Sequence, residues 1–242
     1  MEETKKKGLN TSSNAYTIVY SAVIVVIVAF LLAFVSSSLK PQQDENVALD
    51  KKKQILASLN IRDIDGAEAA DTYNKVVTAD EIIGRDGNVV EQGKQGGTEA
   101  GFLCNSADTK AGRLALYVCN VEGETKYVIP VYGMGLWGGI SGYIAVNADK
   151  QTVYGAYFNH EGETAGLGAE IKDSRAWQDQ FKGKHIFAAG KQGVALSVVK
   201  KSEVSDPTTQ CDAVTGATLT SNGVSDMLHT CLAEYAKFLT TK

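Results

Sequence analysis

The chain has 242 residues, which is enough for one sizeable domain with appendages. Its hydrophobic fraction of 44% and charged fraction of 21% are typical of a globular protein and exclude a disordered one. The formal net charge of −4 argues against a nucleic-acid partner, because such a partner requires a basic surface.

An uncharged, apolar segment comes first along the chain. Residues 16–35 carry no charged side chain and are long enough to cross the roughly 30 Å hydrocarbon core of a membrane as a helix. Tyr16 and Tyr20 are typical of an aromatic anchor at the membrane surface. We therefore predict a transmembrane helix over residues 15–38, after an N-terminal tail of residues 1–14.

A cleaved signal peptide is the alternative for this segment. Lys5 to Lys7 supply a basic leader and Ser36 to Ser38 are small, but the apolar region of a signal peptide runs to only about 7–15 residues. The charges do not decide the orientation, because Lys40 and Lys51 to Lys53 follow the span about as closely as the leader lysines precede it.

Helical spacing continues beyond the membrane segment. Between Pro41 and Leu59 the sequence is charged, lacks glycine and places apolar residues at helical intervals. A second short helix is expected around residues 67–76. We assign residues 39–80 to a juxtamembrane helical connector and residues 81–242 to a globular domain.

Strand signals dominate the globular domain, after a turn at Gly84 to Gly87 and a glycine-rich loop at Gly93 to Gly101. A hairpin turn is expected at Asn147 to Lys150 and a short helix at Ser174 to Phe181. Five segments rich in β-branched and aromatic residues predict strands: Leu114–Val118, Lys126–Tyr132, Gly142–Val146, Val153–Asn159 and Ala195–Lys200. The expected fold class is α+β, with a mainly antiparallel sheet and flanking helices after one N-terminal transmembrane helix.

A turn dense in hydroxyl groups, Asp212 to Gly223, precedes an amphipathic final helix. The helical spacing is carried by Val224, Met227, Leu228, Cys231, Leu232, Tyr235, Phe238 and Leu239. Free backbone N–H groups and the positive end of the helix dipole therefore converge beside Thr218 and Thr220, which suits a phosphate. An ordinary helix N-cap is the alternative, since Thr, Ser and Asn are the usual capping residues.

The segment Gly133 to Gly138 matches the dinucleotide pattern G-x-G-x-x-G after a predicted strand. A dinucleotide site also needs a helix to begin there, whereas the chain continues with glycines and then another strand signal. We interpret the segment as a sharp turn that lets the backbone approach a flat ligand, with Trp137 as an apolar wall. The alternative is that Trp137 lies in the core.

A histidine and two carboxylates stand close together in His160 to Glu163. On a short loop such residues are more often solvated than part of a metal or acid–base site. The following Glu163 to Gly168 is better suited to ligand binding, because two glycines permit unusual backbone angles and Thr164 offers a hydroxyl. No C-x-x-C pair and no Ser-His-Asp order is present, so we predict neither a protein-ligated metal nor a catalytic residue.

Four segments together resemble the C subunits of the sodium-translocating NADH:quinone oxidoreductases, and the likeness covers most of the chain. They are Ala48 to Lys53, Tyr132 to Trp137, His160 to Gly168 and the motif Asp212-x-x-Thr215-Gly216-Ala217-Thr218. One departure is Ala165, where the family pattern has proline, so the turn there is less rigid.

The resemblance implies a covalent cofactor. In that family a flavin transferase esterifies the phosphate of FMN to the last threonine of the motif, which is Thr218 here. The other residues implied in flavin binding are Asp212, Thr215, Gly216, Ala217, Leu219 and Thr220 of the motif region, Glu163, Thr164, Gly166 and Leu167 of the second loop, and Gly135, Leu136 and Trp137 of the first.

The resemblance also implies a place and a role. The chain would cross the bacterial inner membrane once, with its N-terminal tail in the cytoplasm and its flavin domain in the periplasm. In that oxidising compartment Cys104 could pair with Cys119, or Cys211 with Cys231, and the sequence does not decide whether either disulfide forms. It would relay single electrons between subunits of a respiratory complex that couples NADH-to-quinone transfer to sodium export. The alternatives are the related G subunit of the ferredoxin:NAD oxidoreductase complex and a membrane-tethered binding domain without flavin.

Overall fold

The structure, a computed structural model, describes residues 11–190 and 192–241. It divides into two compact units, one up to Ala48 and one from Leu49 onward. Residues 1–10, which hold most of the predicted N-terminal tail and its three lysines, lie outside the described residues.

The first helix, α1 (Asn14–Ser58), contains the predicted membrane segment. It is long and apolar enough to cross a membrane, and its large apolar side chains between Ile18 and Leu39 are exposed. The helix continues through Pro41, so the membrane segment and the first part of the predicted connector form one element.

Within the described residues of the second unit, six strands form the main sheet, and every neighbouring pair is antiparallel. The order across the sheet is β2-β1-β3-β4-β5-β6. The strands are β1 (Val77–Ile83), β2 (Val89–Glu91), β3 (Leu114–Val121), β4 (Glu124–Met134), β5 (Gly139–Asn147) and β6 (Val153–His160). A small parallel pair follows, formed by β7 (Ser197–Val199) and β8 (Gln210–Asp212).

Helices flank this sheet, and the longest of them, α6, packs against β4 and β7. They are α2 (Gly66–Val76), α3 (Ser106–Lys110), α4 (Glu170–Asp173), α5 (Arg175–Asp179), α6 (Thr218–Glu234) and α7 (Ala236–Thr240). The buried stripe of α6 includes Val224, Leu228 and Leu232, as its apolar spacing predicts. Ser225 fixes the helix to β7, because its hydroxyl accepts from the N–H of Val198 at 2.7 Å and donates to the carbonyl of the same residue at 2.8 Å.

The predicted α+β class with a mainly antiparallel sheet is confirmed, and each of the five predicted strands is present as β3 to β7. The strands β1, β2 and β8 were not predicted from the sequence, and β1 begins inside the segment assigned to the helical connector. For β1 the reason is Asp80, because a charged residue in the middle of the segment interrupts the apolar pattern typical of a strand. Its buried carboxylate accepts four backbone N–H groups of the glycine-rich loop, from Lys94, Glu99, Ala100 and Phe102.

Candidate functional site

Helix α6 begins at Thr218, so this residue lies in the first helical turn and not at the capping position. The N-cap is Ala217, which has no side chain able to cap the helix. The interpretation of Thr218 as an N-cap is therefore wrong. The backbone N–H groups of this first turn have no partner within the helix, so they remain available to an external acceptor.

The hydroxyl groups at the start of α6 differ in their partners. Thr220 and Ser221 are buried, and their hydroxyls bond to Glu163 and to the backbone N–H of Val214. The Thr218 side chain is exposed, and its hydroxyl forms no hydrogen bond with the described residues. Among the three hydroxyls at the start of α6, that of Thr218 is consequently the one that a modifying enzyme can reach, and Thr215 in the preceding turn is exposed as well.

The turn before α6 is held in an unusual backbone conformation. Gly216 has a φ of +78°, a region that residues with a side chain rarely adopt. A Cβ atom there would lie only 2.8 Å from the Leu167 side chain, so the second loop lies directly against the motif. Sequence reasoning identified both segments but not their contact, since they are far apart along the chain.

Glu163 connects the three predicted loops. One carboxylate oxygen accepts the Trp137 N–H at 2.9 Å, and the other accepts the Thr220 hydroxyl at 2.5 Å. The Glu163 N–H in turn donates to Nδ1 of His160 at 3.2 Å. The side chain is 7% exposed, so the expectation that this loop carboxylate is solvated is wrong.

The carboxylate of Glu163 is stabilised in its charged form. Burial alone would raise its pKa, but hydrogen bonds from the Thr220 hydroxyl and from the backbone N–H groups of Trp137, Gly138 and Leu136 lower the pKa below its usual value. Glu163 therefore remains ionised at neutral pH and acts as an acceptor that joins the first loop to α6.

The tip of the β4–β5 hairpin lies against α6. Its turn is closed by a hydrogen bond from the Gly135 N–H to the Gly138 carbonyl at 2.8 Å. A Cβ atom at Gly223 would overlap the carbonyl oxygen of Met134, so helix and strand backbones touch there. Gly223 was not predicted as a site residue, although a glycine at this point of a helix is a signal for close backbone approach.

Large apolar side chains are exposed around Thr218. Their exposed fractions range from 42% for Leu167 to 69% for Trp137, and the others are Met134, Leu136 and Leu219. The interpretation of Trp137 as a core residue is wrong. The buried tryptophan is Trp177, which packs on Phe158 and Phe181 and donates its indole N–H to the carbonyl of Asp212 at 2.8 Å.

A cleft of about 300 Å³ opens beside the motif. It brings together two predicted binding residues, Gly166 and Thr215, with the carboxylate of Glu170 and the hydroxyl of Ser174 on its wall. Asp212 lies near this region with its side chain partly exposed and 3.9 Å from Lys201 Nζ. Thr164 is exposed on the second loop.

The four cysteines are free and buried: Cys104, Cys119, Cys211 and Cys231. Neither of the two disulfides left open by the sequence is formed. Burial raises the pKa of each thiol, to about 12 for Cys211, so these groups are protonated and poor nucleophiles at neutral pH.

These features suit a flavin mononucleotide attached through its phosphate. The site offers a reachable hydroxyl, unpaired N–H groups at a helix start and apolar side chains beside them.

Comparisons with known proteins point in the same direction. A family model described as an FMN-binding domain matches residues 135–233. The C subunit of the Na(+)-translocating NADH-quinone reductase of Haemophilus ducreyi is 31% identical over 90% of this chain and 89% of its own length. That of Pseudomonas aeruginosa is 29% identical over 91% and 92%.

Solved structures agree as well. The crystal structure of the C subunit of the Na(+)-translocating NADH-quinone reductase from Parabacteroides distasonis matches with a TM-score of 0.77 and 37% identity, over 84% of this chain and 98% of that one. The NqrC structure from Shewanella oneidensis matches with a TM-score of 0.64 and 26% identity, over 78% and 94%.

Proposed function

Because this chain belongs to the family of C subunits of the Na(+)-translocating NADH-quinone reductases, we propose that it carries FMN esterified to Thr218 and relays single electrons between subunits. The observation that carries this proposal is the exposed Thr218 hydroxyl, which forms no hydrogen bond with the described residues, whereas the hydroxyls of Thr220 and Ser221 beside it are both bonded internally.

The attachment has a defined chemical balance. The Thr218 oxygen forms a bond to the phosphorus of the FMN group, and the bond from that phosphorus to a leaving group breaks. FAD is a suitable donor because its FMN phosphate is already activated, with AMP as the leaving group. The hydroxyl proton passes to a base of the flavin transferase, and the product keeps a single negative charge.

A covalent bond makes physical sense at this site. The N-terminus of α6 stabilises one phosphate charge by roughly 0.3–1 kcal/mol, or up to about 2 kcal/mol when partly buried. That is too little to retain a cofactor. An ester link keeps the flavin at an effective concentration on the order of millimolar or more, even beside an open surface.

The residues around Thr218 then have distinct roles. Trp137, Leu136 and Leu167 offer an apolar wall that excludes water from a flat ring, and Glu163 holds that wall against α6. The flavin supplies the redox chemistry when it is bound, while the protein positions it. Asp212, Thr215, Gly216 and Ala217 shape the turn that presents the hydroxyl.

The proposal extends to the cellular arrangement: the chain crosses the bacterial inner membrane once through α1, with its flavin domain in the periplasm and other subunits of the respiratory complex as partners. The length and apolar composition of α1 and the membership of the C-subunit family support this arrangement. The relatives are C subunits of the quinone reductase, which favours this complex over the ferredoxin:NAD oxidoreductase.

Intact-mass measurement tests the attachment. The full chain, produced with a flavin transferase, should gain one FMN less one water, and the modified peptide should contain Thr218. Thr218→Ser keeps the hydroxyl and should stay labelled, whereas Thr218→Ala should lose flavin fluorescence in a denaturing gel. A fluorescent Thr218→Ala band would refute the assignment, and an unlabelled wild type would favour a binding domain without flavin.

A further inference from the structure

Large apolar side chains are exposed on the three segments that meet at the candidate site. Five large side chains, from three segments that touch one another, are between 42% and 69% exposed there. We call this surface the apolar face, and its residues are Met134, Leu136, Trp137, Leu167 and Leu219. Exposed apolar side chains on segments that touch one another commonly mark a binding interface.

The same three segments have a one-sided charge. Residues 132–142, 159–171 and 212–226 contain no lysine or arginine, but they contain five carboxylates. Glu163 is used internally and Asp212 has Lys201 nearby, at 3.9 Å. Glu161, Glu170 and Asp226 form no salt bridge within the described residues. The apolar face therefore has an acidic border.

We propose that the apolar face is the docking site of the flavin transferase, which meets it with a basic border around the mouth of its active site. This inference rests on the proposed function of Thr218. A flavin dinucleotide carries a charged phosphoanhydride that needs neutralising cations, and the three segments contain no lysine or arginine, with Lys201, 3.9 Å from Asp212, as the cation recorded beside them. The transferase must supply those cations where the two proteins meet.

The docking surface is formed by this chain alone. The five apolar side chains and the Thr218 side chain are all exposed, so a transferase can contact them together. Apolar contact at the centre with opposite charges at the border is the usual arrangement of a specific, transient interface.

The apolar contribution is tested with two matched variants of the full chain in detergent. Met134 and Leu103 are each 68% exposed, but Leu103 lies away from the three segments, in the turn before α3. Purified transferase and FAD are mixed with each variant at several concentrations, and initial rates are read from covalent fluorescence in denaturing gels. Met134→Ala should lower kcat/KM about fivefold or more through a higher KM, and Leu103→Ala should leave it unchanged.

The acidic border is tested by removing charge. The double variant Glu161→Gln/Asp226→Asn should lower kcat/KM at low ionic strength by about fivefold, and the difference should shrink as salt is added. Glu122→Gln is the control, because Glu122 is exposed in the β3–β4 turn, at the opposite end of β4 from the apolar face. It should behave as wild type at every salt concentration.

The outcomes separate the docking proposal from the attachment itself. The docking proposal is overturned if the wild type is labelled at Thr218 but Met134→Ala and the double variant are labelled as fast as their controls. The proposed attachment of FMN to Thr218 would still hold in that case. The apolar face would then belong to a neighbouring subunit instead. A wild type that is not labelled at all would overturn the proposed function and the docking proposal with it.

Discussion

Removing the Glu163 carboxylate is expected to destabilise the domain as well as the candidate site. In Glu163→Ala the buried Thr220 hydroxyl and the Trp137 N–H lose their acceptor. An unpaired buried polar group costs about 1–3 kcal/mol, so we expect a loss of about 3 kcal/mol after water partly replaces the carboxylate. At about 2–4 °C per kcal/mol for a domain of this size, the melting temperature should fall by about 6–12 °C.

Two variants distinguish the lost hydrogen bonds from the lost charge. Glu163→Gln keeps the size and one acceptor oxygen, so it should lose about 1 kcal/mol. Glu161→Gln is the control, because Glu161 is exposed and accepts one N–H, that of Gly139, at 3.2 Å. It should stay within about 0.5 kcal/mol of wild type. Thermal unfolding of the full chain in detergent, followed by near-ultraviolet circular dichroism, measures each difference.

The pH dependence of this effect has a definite sign. The pKa of Glu163 is lowered in the folded chain, so its stabilising contribution is fully present above the unfolded pKa of about 4.3 and is lost as the pH falls through the folded pKa. The stability gap between wild type and Glu163→Gln should therefore be constant near neutral pH and narrow in acid. A gap that is absent at pH 7, or that widens in acid, would refute the role given to this carboxylate.

Three further predictions concern the neighbourhood of the site. Gly223→Ala should lower the melting temperature and slow flavinylation, because the added Cβ overlaps the backbone of Met134 at a cost of about 1–3 kcal/mol. The control is Asn222→Ala, which should change neither property because Asn222 is exposed. Equal melting temperatures of the two variants would contradict the close packing at Gly223. In the chain without flavin, iodide should quench the fluorescence of exposed Trp137 but not that of buried Trp177. Trp177→Phe, which leaves Trp137, should therefore be quenched, and Trp137→Phe, which leaves Trp177, should not. A maleimide should label no thiol in the folded chain at pH 7 and should label all four after unfolding, namely Cys104, Cys119, Cys211 and Cys231.

Local patterns were enough to predict four of the six strands of the main sheet, β3 to β6, together with β7 and the final helix. Leu114–Val118 and the later strands are rich in β-branched and aromatic residues, as buried strands require, and α6 carries one continuous apolar stripe. Strand β1 escaped because Asp80 is buried for a non-local reason: it binds the backbone of a loop that begins about a dozen residues later. A sequence pattern has no means of showing that such a carboxylate is satisfied inside the protein.

The sequence indicated candidate residues for the site but not how those residues contact one another. The turn at Gly216 and the hydroxyls of Thr218 and Thr220 are visible in the sequence, whereas the partner of Thr220 is 57 residues away, at Glu163. Trp137 is exposed whereas Trp177 packs on Phe158 in the core, and the residue type alone does not distinguish the two. Long-range contacts of this kind decide which of several similar side chains faces solvent.

The hydrogen-bond partners at the start of α6 explain how one hydroxyl can be selected among three. A transferase need not distinguish threonine from serine to select Thr218 among these three, because the hydroxyls of Thr220 and Ser221 are buried and already hydrogen-bonded. The charge of Glu163 contributes twice to this result. It accepts the Thr220 hydroxyl, and it fixes the apolar loop beside the hydroxyl that remains. If the proposed attachment holds, the selection of Thr218 over Thr220 and Ser221 is a property of the folded domain, and it should disappear in a peptide that carries the motif alone.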